Sequence, residues 1–280
     1  MDGTAGSINA AQAAAAGQPL LVESFAAWRE AARELLAFDI APHAVKWIGH
    51  ADGGDLFAGA APEAVAFDGI DLAHPKPTVH IPRKLMDMLQ SAACCRVPDR
   101  WAFLYRVVWR WQHGEQEVLS AADEDGNRLH AMVKAVHREE HDMHAYIRFR
   151  ERPEAAGAPR FVAWFEPAHD VLPQVAQHFV SRMGRISWMI ATPDASVLWD
   201  GATLHNTGPL MDSAADLEDA GEALWLTYYR SIFNPARLNE KLLQSHIPSR
   251  FWKHLPEGAV VPEMVSQAAA GARRTGQAEA

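Results

Sequence analysis

HAYIRFR at residues 144–150, followed by RFVAWFEP at residues 160–167, is the stretch that decides the fold of this chain. The hydrophobic period changes here from the helical value of about 3.6 residues to the strand value of about 2. Apolar and polar side chains alternate in the first segment, in the order Ala145, Tyr146, Ile147, Arg148, Phe149 and Arg150. The loop between the two segments is rich in Glu, Pro and Gly, and together they predict a β-hairpin.

The strand pattern returns after one intervening helix. Asp170 is placed to cap a helix whose apolar face includes Val175 and Phe179. ISWMIAT (186–192) and SVLWDG (196–201) then predict a second hairpin around a Pro- and Asp-containing turn. The predicted core is therefore ββαββ, with one mostly antiparallel sheet.

Helices dominate on both sides of this core. Ser24 is a candidate cap for an N-terminal helix, which a short extended segment follows at 45–48. Residues 82–143 have helical periodicity throughout. A long helix is expected to end at Phe233, and Asn234-Pro235 favours the start of another. The predicted class is α+β, largely helical, with N- and C-terminal helices flanking the sheet.

Local composition divides the chain into five parts. Residues 1–19 and 266–280 are rich in small and polar side chains, and both are predicted to be disordered tails. Residues 20–50 form an N-terminal αβ piece, and the Gly- and Pro-rich residues 51–80 form an irregular connector. Residues 81–265 are predicted to form the main α+β domain.

Composition sets the cellular context that we expect. Of the 280 residues, 49% are hydrophobic and 22% charged, which is typical of a globular protein with a large core. No stretch is apolar enough to span a bilayer, and no basic region precedes the N-terminal alanines as in a secretion signal. Cys94 and Cys95 are adjacent on a predicted helix and cannot form a structural disulfide. These features predict a cytoplasmic protein in a reducing compartment.

The charge is unevenly distributed. The net charge is −9, with a sequence pI near 5.8, so the protein as a whole does not attract nucleic acid. Residues 230–254 nevertheless carry five basic side chains and one acidic one, a local charge of +4. The helix start at Asn234-Pro235 lies inside this segment, and its free N–H groups would favour an anion. The predicted contact residues in this segment are Arg230, Arg237, Trp252 and Lys253.

Five segments carry a resemblance to a known family. They are HDMHAYIRFRE (141–151), FVAWFEPAHD (161–170), ISWMIATPDASVLWDG (186–201), LWLTYYRSIFNPARLNEK (224–241) and IPSRFWKHLPE (247–257). In order and spacing they resemble a bacterial family known as a domain of unknown function and described as a putative DNA metabolism or repair protein. The resemblance extends over roughly residues 20–265.

The resemblance implies partners for the chain. Related domains occur fused to a uracil-DNA-glycosylase-like protein that binds uracil in DNA, and stand-alone members accompany a radical-SAM protein of DNA modification or repair. This sequence contains no glycosylase half, and its two adjacent cysteines cannot supply the three ligands of a radical-SAM iron–sulfur cluster. The chain thus resembles the accessory partner alone.

Two histidine-containing pairs are the candidate metal ligands. His141-x-x-His144 and Glu166-x-x-His169 both match motif positions of the resembled family. On a helix the first two share a face, and the hairpin would bring the other two to the same end of the sheet. This set of N and O ligands suits zinc, manganese or iron, although the same histidines also suit structural hydrogen bonds or nucleic-acid contact. Three acidic neighbours are interpreted as exposed charge: Glu139, Glu140 and Asp142.

The polar side of the first predicted strand is a candidate surface for nucleic acid. Tyr146, Arg148 and Arg150 would line it, and guanidinium groups beside a ring can bind phosphates and stack on bases. Cross-strand salt bridges to nearby glutamates explain the two arginines equally well.

Three hypotheses about function follow. The first is a DNA-repair or DNA-metabolism accessory protein that binds DNA, damaged or single-stranded, and acts with a separate repair enzyme. The second is a metal-dependent hydrolase or nucleic-acid-processing enzyme that uses the His/Glu cluster. The third is a pure protein–protein adaptor. No cofactor is required by the sequence other than the divalent metal of the second hypothesis.

Overall fold

A computed structural model describes residues 9–49, 75, 80–210, 249–252, 255 and 260–269 of the chain. The predicted helix to Phe233, the helix start at Asn234-Pro235 and the contact residues Arg230, Arg237 and Lys253 lie outside the described residues. The chain divides into two compact units, unit 1 up to Arg138 and unit 2 from Glu139. This division lies inside a helix, whereas the sequence favoured the connector at 51–80 as a soft boundary.

The predicted α+β class is confirmed, and the described residues contain fifteen α-helices and β-strands. Their bounds are α1 (Ala10–Ala15), β1 (Leu20–Val22), α2 (Phe25–Ala37), β2 (Trp47–Gly49), α3 (Arg83–Ala92), α4 (Arg100–Gln112), α5 (Glu124–Tyr146), β3 (Arg150–Glu151), β4 (Phe161–Trp164), α6 (Leu172–Met183), β5 (Trp188–Ala191), β6 (Ser196–Trp199), β7 (Leu204–Thr207), α7 (Ser249–Trp252) and α8 (Val261–Ala269). In the described ranges, no helix is of a length and hydrophobicity that would let it cross a membrane.

In the described part of unit 1, the first element is α1, a helix in the segment that the sequence predicts to be a disordered tail. In α1, the carboxylate of Glu34 accepts hydrogen bonds from the N–H groups of Ala10 and Ala11, at 3.1 and 3.2 Å. The Asn9 side chain accepts a third, from the N–H of Gln12 at 2.8 Å. Such acceptors satisfy the free N–H groups of a helix N-terminus. Because Glu34 belongs to α2, this stabilisation is tertiary and local composition does not reveal it.

The core of unit 1 is aromatic. Ser24 caps α2 as predicted, since its Oγ accepts from the N–H of Ala27 at 3.2 Å. Trp28 of α2 stacks on Trp101 of α4 with 6.2 Å between ring centroids and donates its indole N–H to the Trp101 carbonyl. The Tyr105 hydroxyl donates to the carbonyl of Ile40 at 2.6 Å. Buried polar atoms with partners of this kind orient the packing between helices.

Unit 2 is built on a five-stranded sheet of order β3-β4-β5-β6-β7. Only β4 and β5 are parallel, with Phe161 opposite Trp188, and α6 connects them. The other neighbours are antiparallel, so the ββαββ core and the second predicted hairpin are confirmed. In the first hairpin, β4 pairs with the short β3 and not with the whole predicted segment 144–150. The sequence pattern does not predict β7, because its segment LHNT has one apolar residue and three exposed positions.

Two predicted boundaries in unit 2 are wrong. The segment 144–150 is not a strand, because α5 continues to Tyr146 and β3 holds only Arg150 and Glu151. Buried Met143 and Ile147 lie four residues apart, and the Ile147 N–H donates to the Met143 carbonyl at 3.1 Å, so helical packing outweighs the alternating pattern. Asp170 does not cap α6, which begins at Leu172 after Val171 without a side-chain cap.

Candidate functional site

The four predicted metal ligands lie on two elements of unit 2. His141 and His144 are exposed near the end of α5, and Glu166 and His169 follow β4. The Glu166 carboxylate accepts a hydrogen bond from the indole N–H of Trp164 at 3.2 Å. Across the part of the chain that the structure describes, no three His, Cys, Asp or Glu side chains are arranged to hold a metal ion. The pairs are therefore not assembled into the four-ligand site that the spacing predicted.

His144 has a different neighbour instead. Its ring lies 4.3 Å from that of His178 on α6, and both rings contact Phe179. Partial burial lowers the pKa of His144 below its usual 6.5, and the nearby His178 and His141 lower it further. The two imidazole rings pack against each other, and their planes are inclined by 41°. No local pattern predicts the contact with His178, because α6 is distant from α5 along the chain.

A buried carboxylate pair corrects the prediction of exposed charge at this end of α5. Glu139 and Asp142 retain 3% and 6% of their accessible surface. The Glu139 carboxylate accepts a hydrogen bond from the Ala168 N–H at 2.9 Å and another from Arg250. Arg250 also lies 4.0 Å from Asp142. Buried charge is stable when it is paired in this way, so Arg250 has a structural role and is not part of a free basic patch.

Aromatic packing surrounds this ion pair. The Phe251 ring stacks on Phe165 at 5.0 Å and contacts Tyr146 at 5.3 Å. The Arg250 guanidinium lies 4.5 Å from the Phe251 ring centroid. Tyr146, a predicted stacking platform for bases, is thus half-buried in protein packing. Trp252 ends α7 beside these residues in sequence.

The two arginines predicted beside Tyr146 also have protein contacts. Arg148 donates hydrogen bonds to the carbonyls of Ala145 and Ile147, at 3.0 and 3.1 Å. These carbonyls lie at the end of α5, where a cation is favourable for the helix dipole. Arg150 pairs with Val162 in the β3–β4 ladder and is half-buried. The predicted row of Tyr146, Arg148 and Arg150 is therefore not a single strand face.

A separate group of arginines lies where β4 and β5 begin, and we call Arg160, Arg182 and Arg185 the arginine patch. Arg160 precedes β4, and its backbone N–H donates to the Ser187 hydroxyl at 3.1 Å. Arg182 lies in the last turn of α6, and Arg185 follows in the turn before β5. The parallel pairing of β4 with β5 thus brings positions distant in sequence to one end of the sheet.

Tight backbone contacts fix the turn that carries Arg185. The Trp199 indole donates to the Gly184 carbonyl at 2.7 Å. Gly201 has a φ of 101° and lies close to the backbone of Arg185. A Cβ added to Gly201 would lie 2.6 Å from the Arg185 carbonyl oxygen. Only glycine is readily accommodated at that position. The β6–β7 turn therefore holds the arginine-bearing turn in place.

The patch keeps positive charge at the surface. Arg160 is paired with Glu151 at 2.7 Å, whereas Arg182 and Arg185 are exposed and form no ion pair with any residue that the structure describes. At the same end of the sheet, Asp200 is engaged by His205 at 2.9 Å and by two backbone N–H groups. Ile186 beside the patch is 43% exposed. Two guanidinium groups are thus available for an external anion.

Comparison with known proteins assigns the family. A protein-family model described as a domain of unknown function, DUF4130, matches residues 98–257. No curated protein and no solved structure matches the chain. The matched range includes the buried carboxylates and the arginine patch, and it covers more than half of the 280 residues. The chain therefore belongs to the DUF4130 family, a domain of unknown function.

Proposed function

We propose that this chain is a DNA-binding accessory protein of DNA metabolism and that the arginine patch contacts the phosphate backbone. The observation that carries the proposal is the exposure of Arg182 and Arg185 without a carboxylate partner among the described residues. Guanidinium groups bind phosphate oxygens with two parallel hydrogen bonds, which makes arginine the preferred residue for this contact. The separate repair enzyme is part of the proposal because of the resemblance to a DNA metabolism family.

Local charge supports this proposal more than net charge does. The whole chain carries −9, so binding needs a place where acidic side chains are already occupied. At this end of the sheet, the charge of Glu151 is compensated by its ion pair with Arg160. Screening limits repulsion from more distant acids to about 8 Å at physiological salt. The patch is therefore a favourable site for a polyanion on an acidic protein.

Exposed Ile186 suggests the form of the DNA. An apolar side chain beside two cations can contact a base or sugar that a single strand exposes, whereas a duplex presents mainly phosphates there. We therefore expect tighter binding to single-stranded than to duplex DNA. Arg230, Arg237, Trp252 and Lys253 stay predicted DNA contacts from the sequence.

The experiment measures fluorescence anisotropy of labelled single-stranded, duplex and uracil-containing oligonucleotides with the full chain. Arg182→Ala/Arg185→Ala should weaken single-strand binding about tenfold at low salt, a loss of about 1.4 kcal/mol. The slope of the logarithm of the binding constant against the logarithm of the salt concentration should become less steep by about 1.4. Each phosphate contact to a single strand contributes about 0.7 to that slope. The matched control is Arg83→Ala/Lys84→Ala, which removes the same charge from exposed positions of α3.

Two results would contradict the proposal. Equal weakening by both double variants would show that net charge matters and that the patch has no particular role. Undetectable binding to all three DNAs at about 50 mM salt would remove DNA contact altogether, since non-specific binding is strongest there. Capture of a protein partner without DNA binding would favour the adaptor hypothesis instead.

A further inference from the structure

A cavity in unit 1 is separate from the arginine patch. It has a volume of about 270 Å³ and lies between α2, α3 and the chain just before α3. Its apolar lining includes side chains from α2, α3 and α4, namely Trp28, Leu36, Met86, Leu89 and Val108. Of these, only Val108 falls within residues 98–257, the range of the family match.

The rim of the cavity is cationic. Arg29 and Arg33 both line it, and they lie one turn apart on the same face of α2. His80 also lines the cavity, and its carbonyl accepts a hydrogen bond from the Trp111 indole at 3.2 Å. An apolar interior with a few polar groups at one end is typical of sites for small molecules.

The two guanidinium groups remain available to a ligand. Their neighbour Glu30 approaches Arg29 at 3.7 Å and Arg33 at 3.4 Å, and the two arginine side chains are 53% and 68% exposed. Ion pairs at such exposure are weak, and an anionic group of a ligand can replace the glutamate without a large cost. Two arginines against one glutamate leave the rim with a net positive charge.

We infer that this cavity binds a small organic anion, with one carboxylate or sulfonate group on an apolar body. The apolar body would pack among the apolar lining side chains, and the anionic group would pair with Arg29 and Arg33. Ligand sites in proteins span about 300–1,000 Å³, so the cavity suits a ligand at the small end of that range. Charge complementarity at the rim selects an anion over a neutral or cationic compound of the same shape.

The test titrates the full chain with anilinonaphthalene sulfonate and follows its fluorescence. Octanoate and octanol then compete for the site. Octanoate should displace the dye at a concentration about tenfold lower than octanol, because only octanoate pairs with the arginines. Arg29→Ala/Arg33→Ala should weaken dye binding about tenfold, and Arg29→Lys/Arg33→Lys should restore most of it. Arg83→Ala/Lys84→Ala again serves as the control with equal charge loss.

A variant with a filled cavity distinguishes dye binding in the cavity from non-specific dye binding elsewhere on the protein. Met86→Trp should abolish the fluorescence change with an unchanged or higher unfolding temperature, and Ala32→Leu is the second filling variant if the first unfolds. Both positions line the cavity. Unchanged dye binding in a folded, filled variant would overturn the inference. Equal displacement by octanol and octanoate would also overturn it, and neither result depends on whether the chain binds DNA.

Discussion

Arg110 in unit 1 and two members of the arginine patch, Arg182 and Arg185, have opposite environments. Arg110 of α4 contacts Asp123 and Asp125, both at 2.9 Å, and Glu115 at 2.7 Å. Arg182 and Arg185 in unit 2 contact no carboxylate among the described residues. The first arrangement holds the segment between α4 and α5 in place, and the second leaves charge for a partner. A count of basic residues therefore says little about binding until each arginine's partner is known.

Loss of Asp125 should have the largest effect on the unit 1 network. Asp125 is 8% exposed, and its carboxylate accepts hydrogen bonds from Arg106 at 3.1 Å and Arg110 at 2.9 Å. Asp125→Ala leaves both guanidinium groups without their shared acceptor, and we expect a loss of about 3 kcal/mol in the free energy of unfolding. Urea denaturation measures it. Glu30→Ala, which removes only exposed ion pairs, is the control and should cost less than about 0.5 kcal/mol.

A smaller loss at Asp125 would mean that the remaining acceptors of Arg110 compensate. In that case Asp123 and Glu115 would carry the network, and the same measurement on Asp123→Ala would show the larger effect. No loss in either variant would contradict the structural role assigned to these arginines.

Gly201→Ala should have an intermediate effect, and it tests how the patch is held. The new Cβ would meet the Arg185 carbonyl at 2.6 Å, and φ at this position is 101°. We expect about 2 kcal/mol of destabilisation and a displaced Arg185, with weaker DNA binding. Gly114→Ala is the control, because its φ of 85° carries the same conformational strain but no atom lies within 4 Å of the added Cβ. Equal effects of both variants would contradict the close-approach argument.

The sequence predicted secondary structure better than it predicted the environment of side chains. Periodicity identified the β5–β6 hairpin and helices α2 to α6, because both depend on neighbours along the chain. Glu139 was interpreted as exposed, but it is buried against Arg250, which is 111 residues away. Arg182 and Arg185 gave no signal, because their proximity to Arg160 depends on the parallel pairing of β4 with β5. The environments of these side chains are tertiary, and a single sequence does not encode them in any local pattern.

The smallest predicted effect concerns two carboxyl groups, one in each unit. Hydrogen bonds from Arg110 lower the pKa of Asp123 to about 2, and those from His205 lower the pKa of Asp200 to about 2. Because both values lie below the usual one of about 3.9, the stability that these groups contribute is present above about pH 4. It is lost as the pH falls towards 2. Asp123→Asn and Asp200→Asn should each reduce the acid-induced fall in the urea midpoint.

NMR titration of the carboxyl carbons in a His205 variant shows which hydrogen bonds keep the pKa of Asp200 low. His205→Gln should raise the pKa of Asp200 above about 2, because the hydrogen bond at 2.9 Å loses its imidazole donor. The value should stay below about 3.9, since the N–H groups of Ala202 and Thr203 still donate to the same carboxylate. Asp123 is the internal control in the same spectra and should not shift. A pKa of Asp200 that stays near 2 would show that the backbone N–H groups, and not His205, hold this carboxylate in its charged form beside the arginine patch.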